Sequence, residues 1–200
     1  MSALEEPSRA GERTRLLVLF VVYLVLLAWI VLWKLEIPWV GGGELRLIKL
    51  VPFAPSGEAG ASTPREVIAN VLLFVPFGLY LGLIATSWSW RKVGGAVIGA
   101  SLILEVAQYG LAIGSSDLTD VIVNTAGGLA GLGLLALARR RFQARTAAVM
   151  TRVCSIGTVL ALVAVVIFIA SPLRYGPREA AVAAPSSAPI ADAESQAREP

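Results

Sequence analysis

The stretch VGGAVIGASLILEVAQYGLAIGSSDLTDVIVNTAGGLAGLGLLALA, residues 93–138, decides the fold. Its only charged residues are Glu105, Asp117 and Asp120. On each side of a short turn near Ser116 stands a run of about twenty apolar or small residues, enough helix to cross a hydrocarbon core about 30 Å thick. So short a turn leaves the two runs side by side and antiparallel, so they are read as a membrane-spanning helical hairpin.

Working outward, three more runs meet the same criterion. Five spans are expected, at 16–33, 67–87, 93–113, 118–138 and 147–170. Composition agrees: 56% of the 200 residues are hydrophobic and 16% charged, where a soluble domain has about 25% charged. The mean hydropathy is +0.73. These values exclude a disordered chain, a disulfide scaffold and an ordinary cytosolic enzyme. The fold class is all-α, a polytopic membrane helical bundle.

What is missing narrows the chemistry further. The chain has no histidine, which excludes Ser-His-Asp and Cys-His catalysis and zinc sites using His. Cys154 is the one cysteine, so neither an intrachain disulfide nor a CxxC pair can form. A metal site would need oxygen ligands alone, and no P-loop string occurs. No cofactor, resident metal or nucleic-acid partner is expected. The net charge of +3 is instead placed beside the apolar runs, as the charge rule for membrane proteins requires.

That rule also gives an orientation. Arg9, Arg13 and Arg15 precede the first span, Arg91 and Lys92 follow the second, and Arg139, Arg140, Arg141, Arg145 and Arg152 lie around the fourth-to-fifth junction. Five spans put all three groups on one side, read as the cytoplasm. The first span ends in Trp-Lys-Leu-Glu-Ile-Pro without a cleavage pattern and is read as retained, with Trp29 and Trp33 toward the far interface. The expected organisation is a cytoplasmic N-terminal tail at 1–15, an extracytoplasmic loop at 34–66, a core of three spans at 67–138, and a disordered extracytoplasmic tail at 171–200. Within the loop, Leu45–Phe53 is apolar with basic residues between and is expected along the membrane surface.

Small residues let helices approach closely in lipid. Gly78-x3-Gly82, Gly95-x3-Gly99 and Gly127-x3-Gly131 fall in spans two, three and four. A close-packed centre of these three follows, with spans one and five outside. Pro76 removes one backbone donor in the second span, freeing the Leu72 carbonyl, and a kink is expected there.

Polar groups inside a membrane are costly, and each needs an account. Glu105 and Gln108 share one face of the third span. Asp117, Asp120 and Asn124 share one face at the start of the fourth, and Asn70 lies one turn inside the second. With the orientation above, all six fall in the outer half of the bilayer. Glu105 is deepest, roughly 12 Å in at 1.5 Å per residue. Each has a plainer reading. The two aspartates suit a helix cap and its dipole. The two asparagines suit bonds between helices, and Glu105 suits a bond to Gln108 or Asn124, or a pairing with Arg65.

Four strings appear in order: Leu50-Val-Pro-Phe53, Asn70-Val-Leu-Leu-Phe-Val-Pro-Phe-Gly78, Glu105-x-x-Gln108 and Ser116-Asp-Leu-Thr-Asp120-x-x-x-Asn124-Thr-x-Gly127. Together they resemble the VanZ-like family over residues 45–138. The resemblance implies a small integral membrane protein with an envelope role, and a contribution to glycopeptide resistance, since the family is named for a protein linked to low-level teicoplanin resistance. It supplies no reaction. The turn departs from the family's frequent Pro-Gly-Arg-like pattern, reading Ala112-Ile-Gly-Ser-Ser116 without an arginine.

The favoured expectation is a binding protein in the cell membrane. Asn70, Glu105, Gln108, Asp117, Asp120 and Asn124 would line an outer-leaflet pocket for an amphiphilic or lipid-linked molecule. Membrane lipids are the other expected partners; no catalytic residue is assigned, and the oligomeric state is left open. The alternatives are a membrane enzyme using Glu105, Asp117 and Asp120 as acid, base or metal ligands, a proton-linked transporter, and a structural partner subunit.

Overall fold

In a computed structural model, residues 6–35, 38, 40, 48–49, 51–53, 63–113 and 116–171 are described. Residues 45–47 and 50 of the expected surface-lying segment 45–53 and nearly all of the expected disordered tail lie outside them. The chain divides into two units, 1–165 and 166–200; of the second, only the last turn of a helix and Ser171 are described.

Among the described residues five α-helices form: α1 Glu6–Trp33, α2 Pro64–Ile84, α3 Trp90–Leu111, α4 Leu118–Phe142 and α5 Thr146–Ala170. Four helical stretches are long and apolar enough to cross a membrane, because α4, a 3-10 turn at Gln143–Arg145 and α5 run on without a break over 53 residues. At 1.5 Å per residue such a stretch would be about 80 Å long if straight, far more than a bilayer. It is not straight. Arg139 of α4 reaches the carbonyl of Gly82 at 2.7 Å, while Cys154 and Thr158 of α5 both meet the Tyr80 hydroxyl. One turn of α2 thus touches both arms, so α5 folds back.

The helix boundaries follow local chemistry. Thr63 and Glu66 form a reciprocal capping box, with Pro64 at the first helical position. α2 therefore starts and stops three residues before the apolar run does. Pro is favoured at that first position because its missing N–H would be unpaired anyway. Pro76 does not interrupt α2, which is continuous to Ile84. The Tyr23 hydroxyl of α1 donates to the Leu73 carbonyl at 2.6 Å, beside the Leu72 carbonyl that Pro76 deprives of a donor. α1 begins at Glu6, so the basic residues expected in a tail at 1–15 lie on its first turns.

α2 and α4 run parallel in the closest contact of the bundle. A Cβ at Gly78 would overlap the Gly128 carbonyl, one at Gly127 the Val71 carbonyl, and one at Gly131 the Val75 carbonyl. These glycines are what lets the two backbones touch. The third span joins the close-packed centre as expected, but not through its glycines: added Cβ atoms at Gly95 and Gly99 would meet open space. α3 instead packs through Val97, whose side chain fills the place a Cβ on Gly128 would take. Two glycines four apart form a ridge only if that face meets a neighbour, and here it does not.

α3 is antiparallel to α4. α1 lies against α2 through a cluster of rings: Phe20 meets Phe77 edge-on with centroids 5.5 Å apart, and Tyr23 stacks on Tyr80 at 5.7 Å. Phe74, Val93, Val97 and Leu135 are fully buried around this core. Outside it, Val18, Val21, Val25, Ile68, Leu72, Ile103, Val106 and Leu137 are exposed. A polar solvent would oppose such a surface, and lipid accepts it.

Candidate functional site

The start of α2, the end of α3 and the start of α4 meet at one end of the bundle. α3 stops when Ala112 takes a left-handed conformation, φ 52°, and its N–H returns to Gln108 and Tyr109 carbonyls. The chain re-enters a helix at Asp117, whose Oδ1 accepts the Thr119 N–H at 2.8 Å. Part of the α1–α2 connection covers this turn. A two-residue strand β1, Ile48–Lys49, pairs in parallel with β2, Ser116–Asp117, and the Phe53 N–H reaches the Thr119 hydroxyl at 3.0 Å.

Beneath the turn lie the polar side chains. Glu105 is buried, and its Oε2 accepts the backbone N–H of Asp117 at 2.9 Å. The Ser116 hydroxyl donates to the Glu105 backbone carbonyl at 2.9 Å. Asn70 Nδ2 donates to Asp120 Oδ1 at 2.8 Å, tying α2 to α4. One turn deeper on each helix, Asn124 Nδ2 donates to Ser101 Oγ at 2.9 Å, tying α4 to α3. Asn124 is 3% exposed, and its Oδ1 has no hydrogen-bond partner. Leaving a buried acceptor unpaired costs about 1–3 kcal/mol.

Five of the six residues expected to line a site, Asn70, Glu105, Asp117, Asp120 and Asn124, therefore gather on facing sides of α2, α3 and α4. The carboxyl groups of Asp117 and Asp120 are near enough to Glu105 to act on it electrostatically. Gln108 is directed elsewhere: its Nε2 donates to the Val31 carbonyl of α1 at 3.1 Å, and its Oε1 is buried and unpartnered. Spacing put it on the same face as Glu105, but a face one helix wide can serve two neighbours. Arg65 is exposed and bonds to no described residue, so it is not paired with Glu105.

Sequence reasoning missed Ser101 and Thr119. Ser101 stands one turn before Glu105 on the same face and is fully buried; that i, i+4 relation was the available signal. Among the described residues, no group of three or more acidic or cysteine side chains is placed to hold a metal ion.

A bundle with an apolar outer surface and its polar side chains gathered within is a polytopic integral membrane protein. Residues 20–139 match the model of the VanZ/LLP1 family. The chain is also 39% identical, over 127 residues, to Protein VanZ of Enterococcus faecium, an alignment that takes in 62% of this chain and 76% of that one. The chain belongs to the VanZ/LLP1 family, and the matched region covers the second half of α1 and reaches Arg139 near the end of α4. No solved structure matches it.

Proposed function

We propose that this VanZ-like protein lies in the cell membrane with its N-terminus in the cytoplasm and binds an amphiphilic or lipid-linked molecule from the outer leaflet, using Asn70, Glu105, Asp117, Asp120 and Asn124. One observation carries the reading: the unpartnered Oδ1 of Asn124, buried between α3 and α4 beside Ser101. A buried acceptor without a donor is rare in folded proteins and asks for an explanation. Its neighbours along the helices are carboxyl groups, so the site offers acceptors. The matching head group donates, through hydroxyl, amide or ammonium hydrogens, and its chain lies in the lipid beside the bundle.

Through the family resemblance, a cell-wall-related ligand would make the protein a contributor to glycopeptide resistance. The enzyme alternative gains nothing from the geometry. The Glu105 carboxylate holds the Asp117 N–H, the Asp117 carboxylate caps α4, and the Asp120 carboxylate holds Asn70. Each acid has a structural donor in place of a reacting partner. The test is teicoplanin susceptibility of cells expressing the wild-type protein, Glu105→Ala or Asp120→Ala at equal membrane levels. Both variants are expected to lose the resistance that the wild type confers; wild-type resistance from both would refute the site.

A further inference from the structure

The opposite end of the bundle holds a feature that ligand binding beside Glu105 does not use. α4 ends in Arg139-Arg140-Arg141, the turn adds Arg145, and α5 adds Arg152. No Asp or Glu occurs anywhere from 121 to 165. Two nearby arginines are committed to the fold. Arg139 donates to the Gly82 carbonyl at the end of α2, and Arg15 of α1 donates to Ser155 Oγ at 3.1 Å. Arg140, Arg141 and Arg145 are exposed and bond to no described residue.

These three stand on a braced corner. The Thr146 hydroxyl, itself buried, lies 2.7 Å from the Gln143 carbonyl and 3.3 Å from that of Ala138. Gln143 is held at φ 46° with its N–H on the Arg139 carbonyl. Exposed apolar side chains, Leu134, Leu137 and Phe142 on one arm and Val153 and Ile156 on the other, flank the corner. In a bilayer, acyl chains would meet these residues, and the guanidinium groups, just beyond them, would reach the head groups. A guanidinium matches two phosphate oxygens at once and gives up its hydration more readily than an ammonium.

We propose that the α4–α5 corner binds the phosphate of an anionic phospholipid head group through Arg140, Arg141 and Arg145. A lipid is favoured over a soluble anion because the corner joins two membrane-crossing helices and carries apolar surface on both arms. Clustered arginines immediately outside a span, with no acid in their own stretch of chain, attract anionic lipid at about a five-fold gain per residue.

The full-length protein is reconstituted in phosphatidylcholine, and spin-labelled phosphatidylglycerol and spin-labelled phosphatidylcholine are compared for the fraction held at the protein surface. Phosphatidylglycerol is expected to be preferred by on the order of ten-fold. The preference should fall toward one in the triple variant Arg140→Gln, Arg141→Gln, Arg145→Gln, and stay unchanged in Arg65→Gln at the other end. In the wild type alone, molar salt should sharply reduce it by shortening the screening length to about 3 Å, which keeps the test decisive if the triple variant fails to insert. Equal association of the two lipids with the wild type would overturn the proposal. So would a preference that survives the triple substitution, or release of the lipid by inorganic phosphate beyond that caused by chloride at equal ionic strength.

Discussion

The Oε2 atom of Glu105 accepts the backbone N–H of Asp117 at 2.9 Å, so a carboxyl from the interior of α3 fastens the residue that caps α4. One side chain closes the α3–α4 hairpin from within, just below the turn that β1 and Phe53 cover. The candidate site is built around this joint.

Replacing Glu105 separates its structural role from ligand binding. Glu105→Gln keeps an acceptor for the Asp117 N–H and should change stability little. Glu105→Ala leaves that N–H buried without a partner and should cost about 1–3 kcal/mol. Thermal unfolding of the purified variants in one detergent reads the difference. Equal losses would mean that this hydrogen bond does not hold the hairpin.

The glycines should divide by what faces them. Gly131→Ala places a methyl on the Val75 carbonyl and should destabilise by about 1–3 kcal/mol. Gly95→Ala and Gly99→Ala meet open space and should be neutral, or stabilising by up to about 1 kcal/mol through helix propensity. A thermostability scan showing Gly95→Ala as harmful as Gly131→Ala would contradict the packing of α2 on α4.

Tyr80 joins α2 to α5 through Thr158 at 2.8 Å and the Cys154 carbonyl at 3.3 Å. Tyr80→Phe removes both bonds and keeps the ring. The expected loss is about 0.6 kcal/mol, the average for hydrogen bonds between membrane helices. A loss much above about 2 kcal/mol would show that α5 depends on this hydroxyl more than such bonds allow.

Orientation is tested by labelling. In a Cys154→Ser background, which leaves no other thiol, Gln143→Cys should react with an impermeant maleimide only after the membrane is opened. Ser116→Cys should react in intact cells. The reverse pattern would place the Glu105 end in the cytoplasm and remove the outer-leaflet reading.

The α3–α4 hairpin and the α2–α4 contact were legible because each rests on a local rule. Apolar runs of bilayer length mark spans, and glycines four apart mark close approach. The local rule also misled at Gly95 and Gly99, since spacing cannot say which face of α3 meets a neighbour. Tyr23 and Tyr80 were invisible for the same reason: a tyrosine in an apolar run shows no partner until the partner helix is placed. In the site, helical spacing grouped Asp117, Asp120 and Asn124 correctly. It could not show that Gln108 turns to α1 while Glu105 turns to α4, a choice made by the position of Val31. Ser101 escaped because serine is common in membrane helices and only its bond to Asn124 distinguishes it.

The claim that Asn124 serves a ligand is tested most directly by Asn124→Leu. This substitution keeps the branched skeleton but removes both the unpaired Oδ1 and the Nδ2 that donates to Ser101, so a stability loss of about 1–3 kcal/mol is expected. Wild-type and variant proteins purified from the same membranes are compared by native mass spectrometry. The wild type is expected to retain an amphiphile with a hydrogen-donating head group, and the variant, compared as folded protein below its unfolding temperature, to have lost it. Identical bound molecules in both proteins would contradict the account.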